Sequence, residues 1–281
     1  MRIEFTKMHG AGNDYIYINT WEHEINDPEK LAVVLSDRHY GIGGDGIVLI
    51  MRGETPGADA RMRIFNTDGS EGAMCGNGIR CTAKYLFDNK MVPKTNMTID
   101  TMSGRREILL YTQNGQASSA RVDMGRAELR PSMIPVKLSG DSVIARGLDV
   151  NGVEHKITCV SMGNPHAVVF VEEPDALDLA KIGPMFEMNE IFPNRVNTEF
   201  VKVADKNTLK MRVWERGSGE TLACGTGMCA AAVAAALNGC CEKGGDIKVI
   251  APGGELIINY TDERVYMTGN CVKVFDGVID V

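Results

Sequence analysis

The 281-residue sequence contains no apolar run of the length a membrane span requires: its longest, Met228 to Leu237, ends at Asn238-Gly239, well short of the roughly 20 residues needed. It has no basic excess either. With 30 Lys and Arg against 37 Asp and Glu, the formal charge of -7 argues against nonspecific binding to nucleic acid or to an anionic membrane. A small-molecule partner is expected instead. The start, Met1-Arg2-Ile3-Glu4, is charged where a signal peptide is apolar, so cytosolic residence is expected. Close cysteine pairs of the C-x2-C type are missing around the glycine-rich sites: five residues separate Cys75 from Cys81 and four separate Cys224 from Cys229, so no metal centre is expected. Eight cysteines in a chain of this length and character read as reduced thiols, because disulfide frameworks belong to short secreted chains. Low-complexity tracts and long linkers are absent too. The 44% hydrophobic and 24% charged content suits a globular chain of one large domain or two ordinary ones.

What the sequence does have is a duplication. Met211 to Leu237, MRVWERGSGETLACGTGMCAAAVAAAL, runs from a strand through a glycine-rich turn to Cys224 and then into a helix with almost no polar residue. Met62 to Phe87, MRIFNTDGSEGAMCGNGIRCTAKYLF, repeats the plan 149 residues earlier and aligns Cys75 with Cys224, Gly76 with Gly225 and Gly78 with Gly227. Gly12-Asn13 finds Gly163-Asn164, and Asp45-Gly46-Ile47 finds Val196-Asn197-Thr198, both at an offset of 151. Each match leads into an apolar strand. Two similar α+β halves follow, 1–120 with the last strand (270–281) returning to it and 121–269, related by a pseudo-twofold axis that sets equivalent loops across a cleft.

Within this frame, residues 3–8 and 14–19 alternate as a hairpin around His9 to Asp14. Asp27-Pro28 opens a helix through about Ser36, with Asp27 as its cap. The loop Gly41 to Gly46 lacks the lysine and the following helix of a phosphate-binding loop, so nucleotide binding is not expected. A helix is predicted from about Gly76 to Asp88 with Ile79, Ala83, Leu86 and Phe87 as its buried stripe. Short strands fill 97–124, turning at Asn114-Gly115. Strands are also predicted at 247–250, 255–260, 265–269 and 272–275.

A cysteine at a helix start meets unpaired N–H groups and the positive dipole end, which favour its thiolate. Two such cysteines in equivalent positions suit a substrate carbon held between them, one acting as thiolate base and the other as thiol acid. The N–H groups of Gly76, Asn77, Gly225 and Thr226 suit a carboxylate there. His166 and Glu215 lie in the repeat loops and are candidates to take a proton from one thiol each. Arg216 suits a second carboxylate, and Asn13, Asn66, Asn164 and Asn197 suggest a polar rim. Cys81, Cys159, Cys229, Cys240, Cys241 and Cys271 read as packing.

The motifs KMHGAGNDY, FNTDGSEGAMCGNGIRC, MGNPH, VNTEF and ERGSGETLACGTG, in that order over essentially the whole chain, resemble those of the diaminopimelate epimerases. The resemblance implies an isomerase that uses no pyridoxal phosphate or other cofactor and converts LL- to meso-diaminopimelate in lysine and cell-wall precursor biosynthesis. It implies Cys75 and Cys224 as the acid–base pair, with His166 and Glu215 tuning the thiols. Asn13, Asn66, Gly76, Asn77, Asn164, Asn197, Glu215, Arg216, Gly225 and Thr226 would bind the substrate. The implied fold is α+β, two pseudo-symmetric halves, each a curled, mostly antiparallel sheet around a central helix, assembled as a homodimer. Two positions depart from the family: many members have glutamine at Gly46 and tyrosine at Phe275, which puts a substrate contact and a dimer contact in question. Proline and hydroxyproline racemases also use two cysteines but resemble M-C-G-H-G where this chain has Met74-Cys75-Gly76-Asn77-Gly78. A redox switch joining Cys75 and Cys224 is the reading from a different class.

Overall fold

The computed structural model describes residues 2–281. The chain falls into two compact units, one made of the described residues up to Asp123 together with Thr268–Val281, the other of Met124–Met267. In the first, β1 (Arg2–Gly10) and β2 (Asn13–Asn19) form the expected hairpin, closed by Ala11 and Gly12, both with positive φ. Helix α1 (Pro28–Ser36) follows, then β3 (Gly46–Arg52), β4 (Ala60–Asn66), the two-residue β5 (Glu71–Gly72) and helix α2 (Gly76–Asp88). Strands β6 (Asn96–Thr101), β7 (Gly104–Gln113) and β8 (Gln116–Asp123) complete the run, with Asn114 and Gly115 at positive φ in the last hairpin.

The second unit holds β9 (Arg146–Val150), β10 (Val153–Ser161), β11 (Pro165–Phe170), α3 (Leu179–Glu187), β12 (Asn197–Asp205) and β13 (Thr208–Glu215). After β14 (Gly219–Thr221) come helix α4 (Gly225–Leu237), β15 (Asp246–Ala251), β16 (Gly254–Tyr260) and β17 (Val265–Asn270). The final strand, β18 (Val272–Asp280), pairs antiparallel with β1.

The two units repeat one pairing scheme. The run β1-β2-β3-β4 pairs antiparallel, parallel, antiparallel, and so does β10-β11-β12-β13. Each short strand after the fourth is antiparallel to it, and each strand after the central helix is parallel to it. On the outer edge the chain order differs. β18 flanks β1 from the chain's end, whereas β9 flanks β10 from the segment just before it.

Within each unit the sheet lies between two helices. In the first, Phe5, Ile16, Ile47 and Phe65 form a cluster with Leu31, Ala32 and Leu35 of α1. The other face packs on α2, which meets β1, β2, β4, β6, β7 and β8 and so is wrapped by the sheet. In the second unit Ala167, Val169 and Phe200 pack with Leu179 and Phe186 of α3. Helix α4 takes the opposite face, against β10, β11, β12, β13, β15 and β16. A helix enclosed this way needs an apolar surface all round, and Gly227 to Ala235 are all buried.

Three expectations need correction. Helix α2 is not a stripe: Gly76 to Lys84 are all buried, including the charged Arg80, while Phe87 is only partly buried. Asp27 sits at the N-cap of α1 without capping it, because its carboxylate pairs with Lys30 at 2.5 Å. Helix α3 had no counterpart in the sequence reading, since Gly183 and Pro184 interrupt its pattern. Gly183 is there for space: a Cβ would lie 2.3 Å from the Trp214 ring.

Candidate active site

Cys75 is the N-cap residue of α2, in extended backbone and half-buried. Its Sγ accepts a hydrogen bond from the Gly78 N–H at 3.3 Å, taking one of the donors the helix cannot satisfy internally. Its S–H donates to Asn13 Oδ1 at 3.3 Å, an oxygen that Asn77 Nδ2 also approaches at 3.3 Å. The first turn is held from beneath by the buried Arg80, whose guanidinium donates to Gly76 O at 3.0 Å and to Asn77 Oδ1 at 2.8 Å. Asn13 is fixed by Asp45, which accepts from Asn13 Nδ2 at 2.7 Å and from the Asp14 N–H at 3.1 Å. Arg38 bridges Asp14 and Asp45, and Asp14 also pairs with the buried Lys7 at 2.7 Å. Burial pushes the Asp14 carboxyl up, but hydrogen bonds from Arg38 and Lys7 outweigh it and hold the group below the usual range.

Cys224 is the corresponding N-cap of α4 and is buried, with its Sγ 3.4 Å from Thr226 Oγ1. Its surroundings differ in sign from a bare helix start. Burial, then the nearby carboxylates of Glu215 and Glu199, push the Cys224 thiol well above its ordinary value, against the simple expectation that the dipole lowers it. Glu215, at the end of β13, accepts from Thr221 Oγ1 at 2.5 Å and is itself raised by burial. The turn after it is anchored by Glu187 of α3, which accepts from Trp214 Nε1 at 2.7 Å and from the Gly217 N–H at 3.0 Å. Arg216 is exposed, with Nη1 donating to Asn194 O at 2.9 Å.

His166 and Asn197 share a register position on the parallel strands β11 and β12, and Glu199 lies two residues further along the same face, toward α4. His166 Nδ1 is 2.7 Å from Glu199 Oε1, and Nε2 is 3.0 Å from Asn164 Oδ1. Both side chains of the His166–Glu199 pair have 0% exposure. Both ring nitrogens are therefore engaged. Asn197 spends its amide on the backbone, donating to Pro165 O at 2.8 Å and accepting from the Arg216 N–H at 3.0 Å. Asn66 donates to Ser70 Oγ at 3.0 Å and so serves its own turn.

The family profile for diaminopimelate epimerase matches residues 5–130 and 158–274. The diaminopimelate epimerase of Acetivibrio thermocellus is 51% identical over 281 residues, covering 99% of each chain. The chain belongs to the diaminopimelate epimerase family. The diaminopimelate epimerase of Desulfovibrio desulfuricans is likewise 51% identical, over 98% of this chain and 97% of its own. A hydroxyproline epimerase from Agrobacterium vitis, solved with trans-4-hydroxy-L-proline, shares the fold at a TM-score of 0.69 and 14% identity, covering 99% of this chain and 92% of that one.

For a member of the diaminopimelate epimerase family, the first unit gathers Asn13, Cys75, Gly76 and Asn77 at one helix start. The second gathers Cys224, Gly225, Thr226 and Glu215 at the other, with His166 and Asn164 joined through their hydrogen bond. Sequence reading missed Asp45, Arg80, Glu187 and Glu199 as partners of these residues. Glu199 carried a usable signal: an acidic residue in the strand NTEFVKV, where the equivalent position of the first unit is Val48. The two departures also have structural readings. Gly46 has φ of 151° and a Cβ there would lie 2.0 Å from Phe65 O, so this loop accepts only glycine. Phe275 is part-exposed and packs edge-on against Phe5 at 5.9 Å.

Proposed function

We propose that this chain epimerises LL-diaminopimelate to meso-diaminopimelate by a two-base mechanism in which Cys75 and Cys224 address opposite faces of one α-carbon. The observation that carries the reading is the placement of both cysteines as N-cap residues of equivalent helices, each followed by Gly-x-Gly, in a member of this family. One cysteine, as thiolate, takes the α-proton: the C–H bond breaks, its electron pair stays on carbon, and an S–H bond forms. The other thiol gives its proton to the opposite face, and its S–H pair remains on sulfur. The stereocentre inverts and the two sulfurs exchange protonation states, so the reverse reaction begins from the opposite arrangement.

The N–H groups of Gly76, Asn77, Gly225 and Thr226 precede the internal hydrogen bonding of their helices and suit the substrate carboxylate, where charge develops in the carbanion. Asn13, Asn66, Asn164, Asn197, Glu215 and Arg216 are assigned to substrate recognition. Arg216, the exposed cation of this set, suits the carboxylate of the far end. Glu215 beside Cys224 favours the protonated thiol, and His166 acts through its partners because both nitrogens are occupied. The chain is assigned to a homodimer, supported by the exposed apolar side chains that β18 carries at Val272, Val274, Phe275 and Val278.

In D2O, reduced protein with LL-diaminopimelate and no added cofactor is expected to place deuterium at the α-carbon of the product. Cys75→Ala and Cys224→Ala are each expected to abolish turnover. Wild-type turnover in either variant, or no α-deuterium in the product, would overturn the assignment.

A further inference from the structure

Asn13 and Asn164 are equivalent residues, 151 positions apart, each at the entry to the second strand of its pairing scheme. Their amides are held in opposite senses. Asn13 gives its NH2 to Asp45, 2.7 Å away, and since a carboxylate only accepts, the amide oxygen is left to face Cys75 and Asn77. Asn164 instead turns its oxygen to His166 Nε2 at 3.0 Å, which leaves its NH2 for a ligand.

The second orientation depends on where the protons of a buried pair reside. Asn164 Oδ1 only accepts, so His166 must carry a proton on Nε2. Glu199 Oε1 lies 2.7 Å from Nδ1, so a second proton sits between those two atoms, whether on the carboxyl or on an imidazolium. Without that second proton the carboxylate would claim the single ring proton at Nδ1. Nε2 would become a bare acceptor and Asn164 would turn round. Two features favour the shared proton. Glu199 Oε2 meets no donor among the described residues, and a fully ionised carboxylate with a bare buried oxygen is costly. Glu199 Oε1 also lies close beside Gly227, where a Cβ would come within 2.6 Å of it, so the carboxylate is packed between His166 and the start of α4.

We propose that Glu199 is a positioning residue that, through a proton shared with His166, fixes Asn164 as a hydrogen-bond donor, opposite in sense to its duplicate Asn13. An α-amino acid offers donors on its ammonium and acceptors on its carboxylate. An amide fixed with its NH2 free reads the carboxylate and not the ammonium. In the first unit Tyr15 and Val48 stand at the positions of His166 and Glu199, so the device belongs to the second unit alone. The choice of a carboxylate as the group read by Asn164 rests on the epimerase reading; the amide sense itself is a property of the free protein.

The test is 15N NMR of histidine-labelled protein without ligand, followed by kinetics with LL-diaminopimelate. His166 Nε2 is expected to be protonated in the wild type and in Glu199→Gln, whose amide still donates to Nδ1. In Glu199→Ala the Nε2–H population is expected to fall and KM to rise by about 10-fold with kcat changed much less, the scale of one good hydrogen bond. Glu199→Gln is expected to bring KM back to within about threefold of wild type, the effect of keeping that bond. An unprotonated Nε2 in the wild type, or Gln and Ala variants that behave alike, would overturn the proposal. If Glu199→Ala does not fold, the wild-type spectrum decides by itself. Failure of the epimerase reading would appear separately, as wild-type protein that leaves LL-diaminopimelate unchanged while its spectrum shows Nε2–H.

Discussion

Glu199 Oε1 occupies the space a side chain at Gly227 would need: a Cβ there would lie 2.6 Å from that oxygen and 3.2 Å from Cys224 Cβ. The third residue of α4 is glycine so that a buried carboxylate can lie beside the start of the helix. Alanine is the better helix former by about 1 kcal/mol, so any loss in Gly227→Ala must come from the overlap. Gly227→Ala is expected to lose about 1–3 kcal/mol of stability, the usual scale of overpacking. KM for LL-diaminopimelate should rise as Glu199 is pushed off His166. Urea unfolding with steady-state kinetics checks this, and a variant more stable than wild type with unchanged KM would show that the helix start tolerates the methyl.

A glutamine at Gly46, which the resemblance implies for many members of the family, should not supply a contact in this chain. With φ of 151° and the Phe65 carbonyl 2.0 Å from the position of a Cβ, any side chain must force the β3 entry away from β4. Gly46→Gln is expected to cost more than about 4 kcal/mol, in the range reserved for strain and buried overlap. Thermal unfolding reads the effect directly, and a shift in Tm of only a degree or two would refute it.

The charge network behind Asn13 has a pH signature. Asp14 is held below the usual carboxylate range in the folded chain, so its contribution is fully present above the unfolded value near pH 4 and is lost as pH falls through the folded value. Asp14→Asn also leaves the buried Lys7 without its carboxylate partner, with Gly43 O still accepting from it. With Asp14 partly exposed, the expected cost is about 1–3 kcal/mol at pH 7. That cost should shrink toward pH 3, and equal losses at pH 7 and pH 3 would rule out an ionic origin.

Much of this was legible because a duplication writes itself into a sequence twice. The offset between the C-G-x-G motifs placed both cysteines and both central helices, and the asparagine matches placed the strand entries. The outer strand β9 escaped because the chain supplies it from the segment just before its repeat, whereas its counterpart β18, expected at 272–275, comes from the chain's end, so no offset aligns the two. Helix α3 escaped because Gly183 serves the Trp214 ring and Pro184 interrupts the pattern. Glu199 escaped for a different reason: its partner is 33 residues away on a neighbouring strand, and pairing across a sheet is invisible until register is known. The inversion of the Cys224 environment escaped because its largest cause is burial, followed by Glu215 and then Glu199. A helix dipole is local and readable from sequence, whereas burial depends on how other elements pack around the site.

That inversion makes the two cysteines chemically distinguishable. Alkylation proceeds through the thiolate, and an ordinary cysteine of pKa near 8.5 is only a few per cent ionised at pH 7. The Cys224 thiol is raised by burial, Glu215 and Glu199, so its thiolate fraction lies below that level and its sulfur is also shielded. Cys75 is half-buried and receives the Gly78 N–H. Iodoacetamide at pH 7 is therefore expected to modify Cys75 before Cys224. Raising the pH should speed Cys224 labelling beyond the point where an ordinary thiol levels off. Glu215→Gln should bring the Cys224 rate up at pH 7 by removing one of the opposing charges. Peptide mass spectrometry over time separates the two sites from each other and from the six remaining cysteines. Equal rates, or Cys224 reacting first, would show that the carboxylates do not govern its ionisation.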